Sequence, residues 1–396
     1  MKSKLSLLFT IFFIIAILAG EAFAAAPVAS AAQTARVEAG TVLDFTAASP
    51  KTNLDGWTQT YSFPGATFLR LHFKGFNLAA GDRLVVSSPD GSQAWEYAGK
   101  GSNNNGDFWS FAVTGSEVTL ALSAPSGKST GFRIVEVGYG TVDLEPSQPM
   151  IDSIIVDDGR EDVVCHMDEA VINTAQKAVA RLLFTVKKTQ YLCTGELIRG
   201  SNANTLITNA HCIADQATTS TLEARFNYQY TTCGGSTLAT TTSFAGGTFL
   251  KTNAERYSRR KPTTTGLDYT LLTLQGTPEA TFGELIPTTV VGSVGTFINF
   301  IQHGAGLPKQ IGYWEDADHL SRCDIHEINM TYGSSYPNSQ TGYACDSEGG
   351  SSGSAITRAS DGKVIALHHY GLTTLNGATM MSLICSNAGS LLTCDN

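Results

Sequence analysis

Three short segments of the chain hold residue types that can cleave a carbonyl bond. The first, Leu206-Ile207-Thr208-Asn209-Ala210-His211-Cys212, is a strand pattern that delivers a histidine beside a cysteine. In the second, Leu267-Asp268-Tyr269-Thr270-Leu271-Leu272, an acid stands at the mouth of an apolar strand. The third, Gly349-Gly350-Ser351-Ser352-Gly353-Ser354-Ala355, is a glycine-rich turn that holds serines. Amide hydrolysis needs a nucleophile, a base for its proton, a group that fixes the base, and donors for the oxyanion. A histidine, with an ordinary pKa of about 6.5, takes a proton at neutral pH and returns it to the leaving amine. A buried aspartate selects its tautomer, and glycines let backbone N–H groups approach the substrate oxygen. Taken singly, each has a plainer explanation: a hydrogen-bonded histidine after a strand, a Gly-Ser loop. Taken together they form a complete set.

Such groups need rigid elements to hold them. Short apolar runs at 180–185, 191–198, 205–208, 269–274, 296–301 and 363–367 read as strands, and 168–180 has a helical composition. Further upstream, Leu69-Arg70-Leu71-His72-Phe73-Lys74 and Val118, Leu120 and Leu122 alternate between two faces, and Asp90-Gly91 and Ser126-Gly127 mark turns. Residues 36–140 therefore predict a β-sandwich, a possible pro- or accessory domain. Residues 141–164, with seven acids and two prolines, predict an acidic linker in which Arg160 is the one site for a trypsin-like cut. A catalytic domain at 165–396 completes the division.

The chain has 396 residues, a net charge of −9, 15% charged and 42% hydrophobic residues. These values exclude a disordered chain or a long coiled coil, and without a basic run they argue against nucleic acid or an anionic membrane as partner. Lys2 and Lys4, an apolar run from residue 5 to 19, and Ala22-Phe23-Ala24 make residues 1–24 a signal peptide. The run is too short to span a membrane, so the mature protein is expected outside the cell. All eight cysteines fall after residue 164, in no C-x-x-C pair, which disfavours a zinc ribbon and predicts disulfides. Spacing alone leaves their pairing open.

The order His, Asp, Ser, with Ala210-His211-Cys212 and Gly350-Ser351-Ser352-Gly353, resembles the chymotrypsin-fold (trypsin-like) serine endopeptidases over the whole second half. Val163-Val164-Cys165, Phe226-Asn227-Tyr228-Gln229 and Cys233 resemble the bacterial lysyl endopeptidases. Gly350-Ser351-Ser352-Gly353-Ser354 and Val364-Ile365-Ala366-Leu367-His368 are also similar to the glutamyl endopeptidases. The stretches 73–91 and 131–134 resemble a CUB-type sandwich, from which no ligand is carried over. These resemblances imply an all-β chain, a chymotrypsin-like double β-barrel preceded by a β-sandwich. They imply His211 as general base, Asp268 as its orienter, Ser352 as nucleophile, and the amides of Gly350 and Ser352 as oxyanion hole. They also imply Cys193–Cys212 and Cys165–Cys233, after which Cys323–Cys345 and Cys385–Cys394 remain. The expected protein is a monomeric, secreted endopeptidase acting on proteins or peptides without metal or cofactor.

Two departures bear on regulation and specificity. Ser351 stands where the family usually has the aspartate that captures a freed amino terminus, so that ion pair cannot form. The substrate pocket has two readings: Asp346, six residues before Ser352, would select a basic P1 residue, whereas Ser347 with His368 would select an acidic one. A purely structural turn acid at Asp346 is a third. His303 reads as structural, and His319, His326, His368 and His369 match no zinc spacing. Asn329-Met330-Thr331 is a glycosylation acceptor only in a glycosylating host. Two other functions compete. Gly349-Gly350-Ser351-Ser352-Gly353 also fits the nucleophile elbow of an α/β-hydrolase esterase through Ser351, and a non-catalytic binding protein on this fold would lack a triad member.

Overall fold

Alternating burial along Glu117–Ser123, with Val118, Leu120 and Leu122 inward, turns one face of a four-stranded sheet to the core. Its strand order is Trp57–Ser62, Glu117–Ser123, Arg83–Ser87, Ala94–Tyr97. A second sheet lies across it, built from Val37–Ala48, Gly131–Gly140 and Phe68–Asn77 with two short strands. Leu69, Leu71, Phe73, Phe76, Phe132 and Ile134 fill the space between, with Phe73 and Phe132 edge to face at 5.2 Å. These are the two sheets of a sandwich. The computed structural model describes residues 36–145, 158–254, 266–331, 337–371 and 375–396. The expected signal peptide and residues 146–157 of the expected linker lie outside them.

The second half of the chain supplies a closed barrel and a half-barrel. Val179–Val186, Glu223–Phe226, Thr242–Asn253, Tyr269–Leu274, Thr205–Thr208 and Thr189–Leu197 pair in that order, and the first and last pair again to close the ring. An eight-stranded sheet runs Arg160–Asp162, Gln310–Gly312, Ile298–Gln302, Ala355–Arg358, Val364–Gly371, Asn376–Met380, Gln340–Tyr343, Glu327–Met330. Every strand pair in both is antiparallel, and the chain is all-β, in the chymotrypsin-like manner. This architecture removes the α/β-hydrolase reading, which requires helices alternating with parallel strands. The expected helix at 168–180 is shorter, Ala170–Ala175 followed by the 3-10 turn Gln176–Ala178, because the buried strand Val179–Val186 claims the residues after it.

The two halves share a sheet. Val37–Ala48 pairs on one side with Gly131–Gly140 and on the other with Thr189–Leu197 of the barrel. The polar face of Phe68–Asn77 is partly covered as well. Arg70 is buried, its Nε donating to Ser110 O and its Nη2 reaching Thr221 O of the barrel at 2.7 Å. Beside it, Glu223 and Arg225 form a buried ion pair at 2.8 Å, Arg225 also meets Glu145 at 3.0 Å, and Glu223 accepts the Ala112 N–H. Four disulfides cross-link the second half: Cys165–Cys233, Cys193–Cys212, Cys323–Cys345 and Cys385–Cys394.

Candidate active site

His211 leaves the barrel where the strand Thr205–Thr208 ends. A tight turn follows, in which the N–H groups of Cys212 and Ile213 both donate to Asn209 O at 3.2 and 3.1 Å. The Cys193–Cys212 bridge ties that turn to the neighbouring strand. Asp268 precedes the strand Tyr269–Leu274, which pairs directly with Thr205–Thr208, so sheet register brings acid and base together. Asp268 has φ +47°, a left-handed conformation that aspartate tolerates better than most residues. Asn209 Nδ2 holds its carbonyl at 2.8 Å.

The Asp268 carboxylate is 2% exposed and grips His211 twice. Its Oδ1 accepts the His211 backbone N–H at 2.9 Å, and its Oδ2 lies 2.7 Å from Nδ1. His369 Nδ1 stands 3.3 Å from the same Oδ2, a third group on the carboxylate. Burial opposes the charge, but the field and hydrogen bonds of His211, with those of His369, outweigh it and hold the carboxyl below its ordinary pKa. With Nδ1 turned to the acid, His211 Nε2 has no hydrogen-bond partner among the described residues.

Ser352 enters from the other barrel. Its carbonyl accepts the Thr194 N–H at 2.9 Å, and Gly353 donates to His368 O at 3.0 Å. A side chain on Gly353 would strike Thr194 O and Thr208, at the end of the strand that delivers His211. Gly350 has φ +97°, and a Cβ there would stand 2.9 Å from His303 O, so only glycine fits. Its carbonyl is fixed by Thr194 Oγ1 at 2.8 Å. The N–H groups of Gly350 and Ser352 donate to no acceptor among the described residues. Ser351 is engaged differently: fully buried, its Oγ donates to Gln302 Oε1 and accepts the Glu348 N–H at 3.1 Å.

The pocket candidates separate. Asp346 is half-buried; its Oδ2 accepts the Gly159 N–H at 2.7 Å, and desolvation, against that hydrogen bond, lifts its pKa to about 6. Ser347 Oγ donates to Asn376 Oδ1 at 2.8 Å. His368 is buried, with Nδ1 2.6 Å from the Tyr343 hydroxyl and its ring against Phe300. Burial first, then His369 and His211, push its pKa well below 6.5, so it is neutral. His368 and His369 are consecutive in the strand Val364–Gly371, at a break in its pairing register, and have different partners, one the Tyr343–Phe300 wall and the other Asp268.

Among other groups, His303 is buried with Nδ1 at 2.9 Å from Leu307 O, a structural setting. His319 stacks on Trp314, and His326 meets Glu315 and Asp324. The end of the expected linker is built in: Arg160–Asp162 is a strand paired with Gln310–Gly312, and the Arg160 side chain is 1% exposed. A protease has no access to it there.

Residues 157–374, more than half of the chain, match the family model for the lysyl endopeptidase C-terminal domain. A secreted RxLR effector protein of Plasmopara viticola is 29% identical over 77% of this chain and 75% of its own length. A lysyl endopeptidase of Pseudomonas aeruginosa is 28% identical over 71% of this chain, which spans 60% of the length of that relative. Among solved structures, a protease of M. tuberculosis in its active form is 13% identical, with TM-score 0.38, over 63% of this chain and 93% of that one.

Proposed function

The chain belongs to the lysyl endopeptidase C-terminal domain family and is a serine endopeptidase, and on that premise we propose that it is exported, acts through His211, Asp268 and Ser352, and cleaves after a basic P1 residue. The observation that carries the triad is the double grip of Asp268 on His211, which turns Nδ1 to the acid and leaves Nε2 without a hydrogen-bond partner among the described residues. Ser352 Oγ attacks the scissile carbonyl while Nε2 takes its proton; Asp268 stabilises the imidazolium that forms. The oxyanion is met by the Gly350 and Ser352 N–H groups, which have no competing acceptor among the described residues. Collapse breaks the C–N bond, His211 protonates the leaving amine, and the acyl group stays on Ser352. Water, deprotonated by the same nitrogen, then releases the acid. Ser351, tied to Gln302, has no lone role as nucleophile.

Basic selectivity is supported by the family's name and by the ionisation of the two candidates. Asp346, with a pKa of about 6, is an anion at neutral pH, whereas His368 is neutral and supplies no charge for an acidic P1. Export is supported by the residues of the expected signal peptide, by four disulfides, and by the secreted effector among the relatives.

A fluorophosphonate or sulfonyl fluoride will label the purified protein at Ser352, and Ser352→Ala will lose both labelling and casein cleavage. Labelling at Ser351, or undiminished activity in His211→Ala, would overturn the triad. Peptide-library profiling tests the pocket: cleavage after Lys or Arg that disappears in Asp346→Asn is expected, and cleavage after Glu that disappears only in His368→Ala overturns it.

A further inference from the structure

The loop that carries the nucleophile has no regular structure between Cys345 and Ser354, and it includes two adjacent glycines. Something must hold it, because the Gly350 and Ser352 amides serve as oxyanion donors only in one backbone arrangement. In the chymotrypsin-fold enzymes that this chain resembles, the aspartate before the nucleophile does this by capturing the amino terminus freed on activation; here that residue is the neutral Ser351. A cation is present nonetheless. The Arg160 guanidinium lies inside the protein behind the loop, with Nη1 2.9 Å from Glu348 Oε2 and Nη2 2.7 Å from Asp158 Oδ2. Arg160 Nη1 and Ser351 Oγ both crowd Gly304, at 2.5 and 3.2 Å from where a Cβ on that glycine would stand. The guanidinium therefore reaches to within one residue of Ser352.

We propose that Arg160 is a positioning residue for catalysis: from within the uncut chain it holds Glu348, and through Glu348 the 346–352 loop, so that both oxyanion amides face the substrate. The connections run in series. Strand pairing of Arg160 with Gly312 anchors the cation. The neighbouring Gly159 N–H holds Asp346 at 2.7 Å, Gln302 Nε2 holds the Asp346 carbonyl at 2.8 Å, and the Glu348 N–H closes on Ser351 Oγ at 3.1 Å. Charge-assisted bonds to a buried guanidinium are short and costly to leave half-made, so the loop has one favoured position. An internal cation needs no freed amino terminus. The chain is thus competent with the bonds around Arg160 intact, and a cut there would remove the anchor.

This inference rests on the triad reading, and its test separates the two. The full chain is compared with Glu348→Gln, Arg160→Lys and Arg160→Ala for kcat, KM, thermal midpoint and the rate of fluorophosphonate labelling at Ser352. Glu348→Gln is expected to lower kcat and the labelling rate by up to about 10²-fold, the value of one oxyanion donor, with KM and the midpoint little changed. Arg160→Lys is expected to keep part of the rate, and added guanidinium to restore part of it to Arg160→Ala. A folded Glu348→Gln with unaltered kcat overturns the proposal, and it decides the matter alone if Arg160→Ala does not fold. No labelling at Ser352 in the unaltered protein would instead overturn the triad itself.

Discussion

An ionised carboxylate at 2% exposure persists only if its surroundings favour the charge, and Asp268 has three polar groups doing so. Two consequences follow for this residue. Asp268→Asn keeps the shape but loses the preference for the productive tautomer, and kcat is expected to fall by about 10⁴-fold with KM little altered. Its depressed pKa also adds stability that is present above the unfolded value and is lost as pH falls through the folded one. Asp346 has the opposite sign. With its pKa raised to about 6, the folded state binds more protons than the unfolded state between pH ~4 and ~6, so this group lowers stability as pH rises through that window. Urea titrations at stepped pH will show that Asp346→Asn loses less stability, or gains more, than the unaltered protein as pH rises through that window; an unchanged profile would refute the burial account. The residues of the proposed triad stand out in the sequence because His211, Asp268 and Ser352 each sit in a local pattern. His369 and Arg160 do not, since their partners Asp268 and Glu348 lie 101 and 188 residues away and no local spacing reports such contacts.

Among elements, the turn that bears His211 depends most on a single covalent tie. Cys193 lies in a strand paired along its length with Val179–Val186, whereas Cys212 lies in the irregular turn beyond Thr205–Thr208. Closing a loop with a sequence separation of 19 is worth about 3 kcal/mol on the chain-entropy estimate. The double variant Cys193→Ala, Cys212→Ala should lose roughly that much in denaturant unfolding, and should lose kcat beyond it as the turn loosens. Equal stability would mean that the bridge adds nothing to the packing of Ala210 and Ile213. Strand existence was read well from the period-2 pattern. Sheet membership was not: Arg160–Asp162 carries three charged residues and reads as linker, yet it pairs along an edge where Arg160 finds Asp158 and Glu348, Glu161 finds His166, and Asp162 accepts the Gly234 N–H.

At the scale of the molecule, all eight cysteines lie after residue 164, which taken alone would leave the bare front half free to be shed. The sheet that runs through both halves argues otherwise. Removing the front half would strip Thr189–Leu197 of its pairing with Val37–Ala48 and leave an open strand edge beside the catalytic turn. The same loss would withdraw Arg36, whose guanidinium donates to the His211 carbonyl at 3.0 Å and covers Tyr191. It would also leave Glu223 without the Ala112 N–H, and Arg225 without Glu145 and the Ala112 carbonyl. Breaking a buried charge network on one side costs about 3–5 kcal/mol, a large share of the stability of any domain. The two halves are therefore expected to unfold as one cooperative unit. Calorimetry of the full chain should show a single transition whose calorimetric and van't Hoff enthalpies agree, and a chain beginning at residue 158 should fail to accumulate as soluble, labelled enzyme. Two resolved transitions, or an active truncated chain, would show instead that the front half is a detachable accessory.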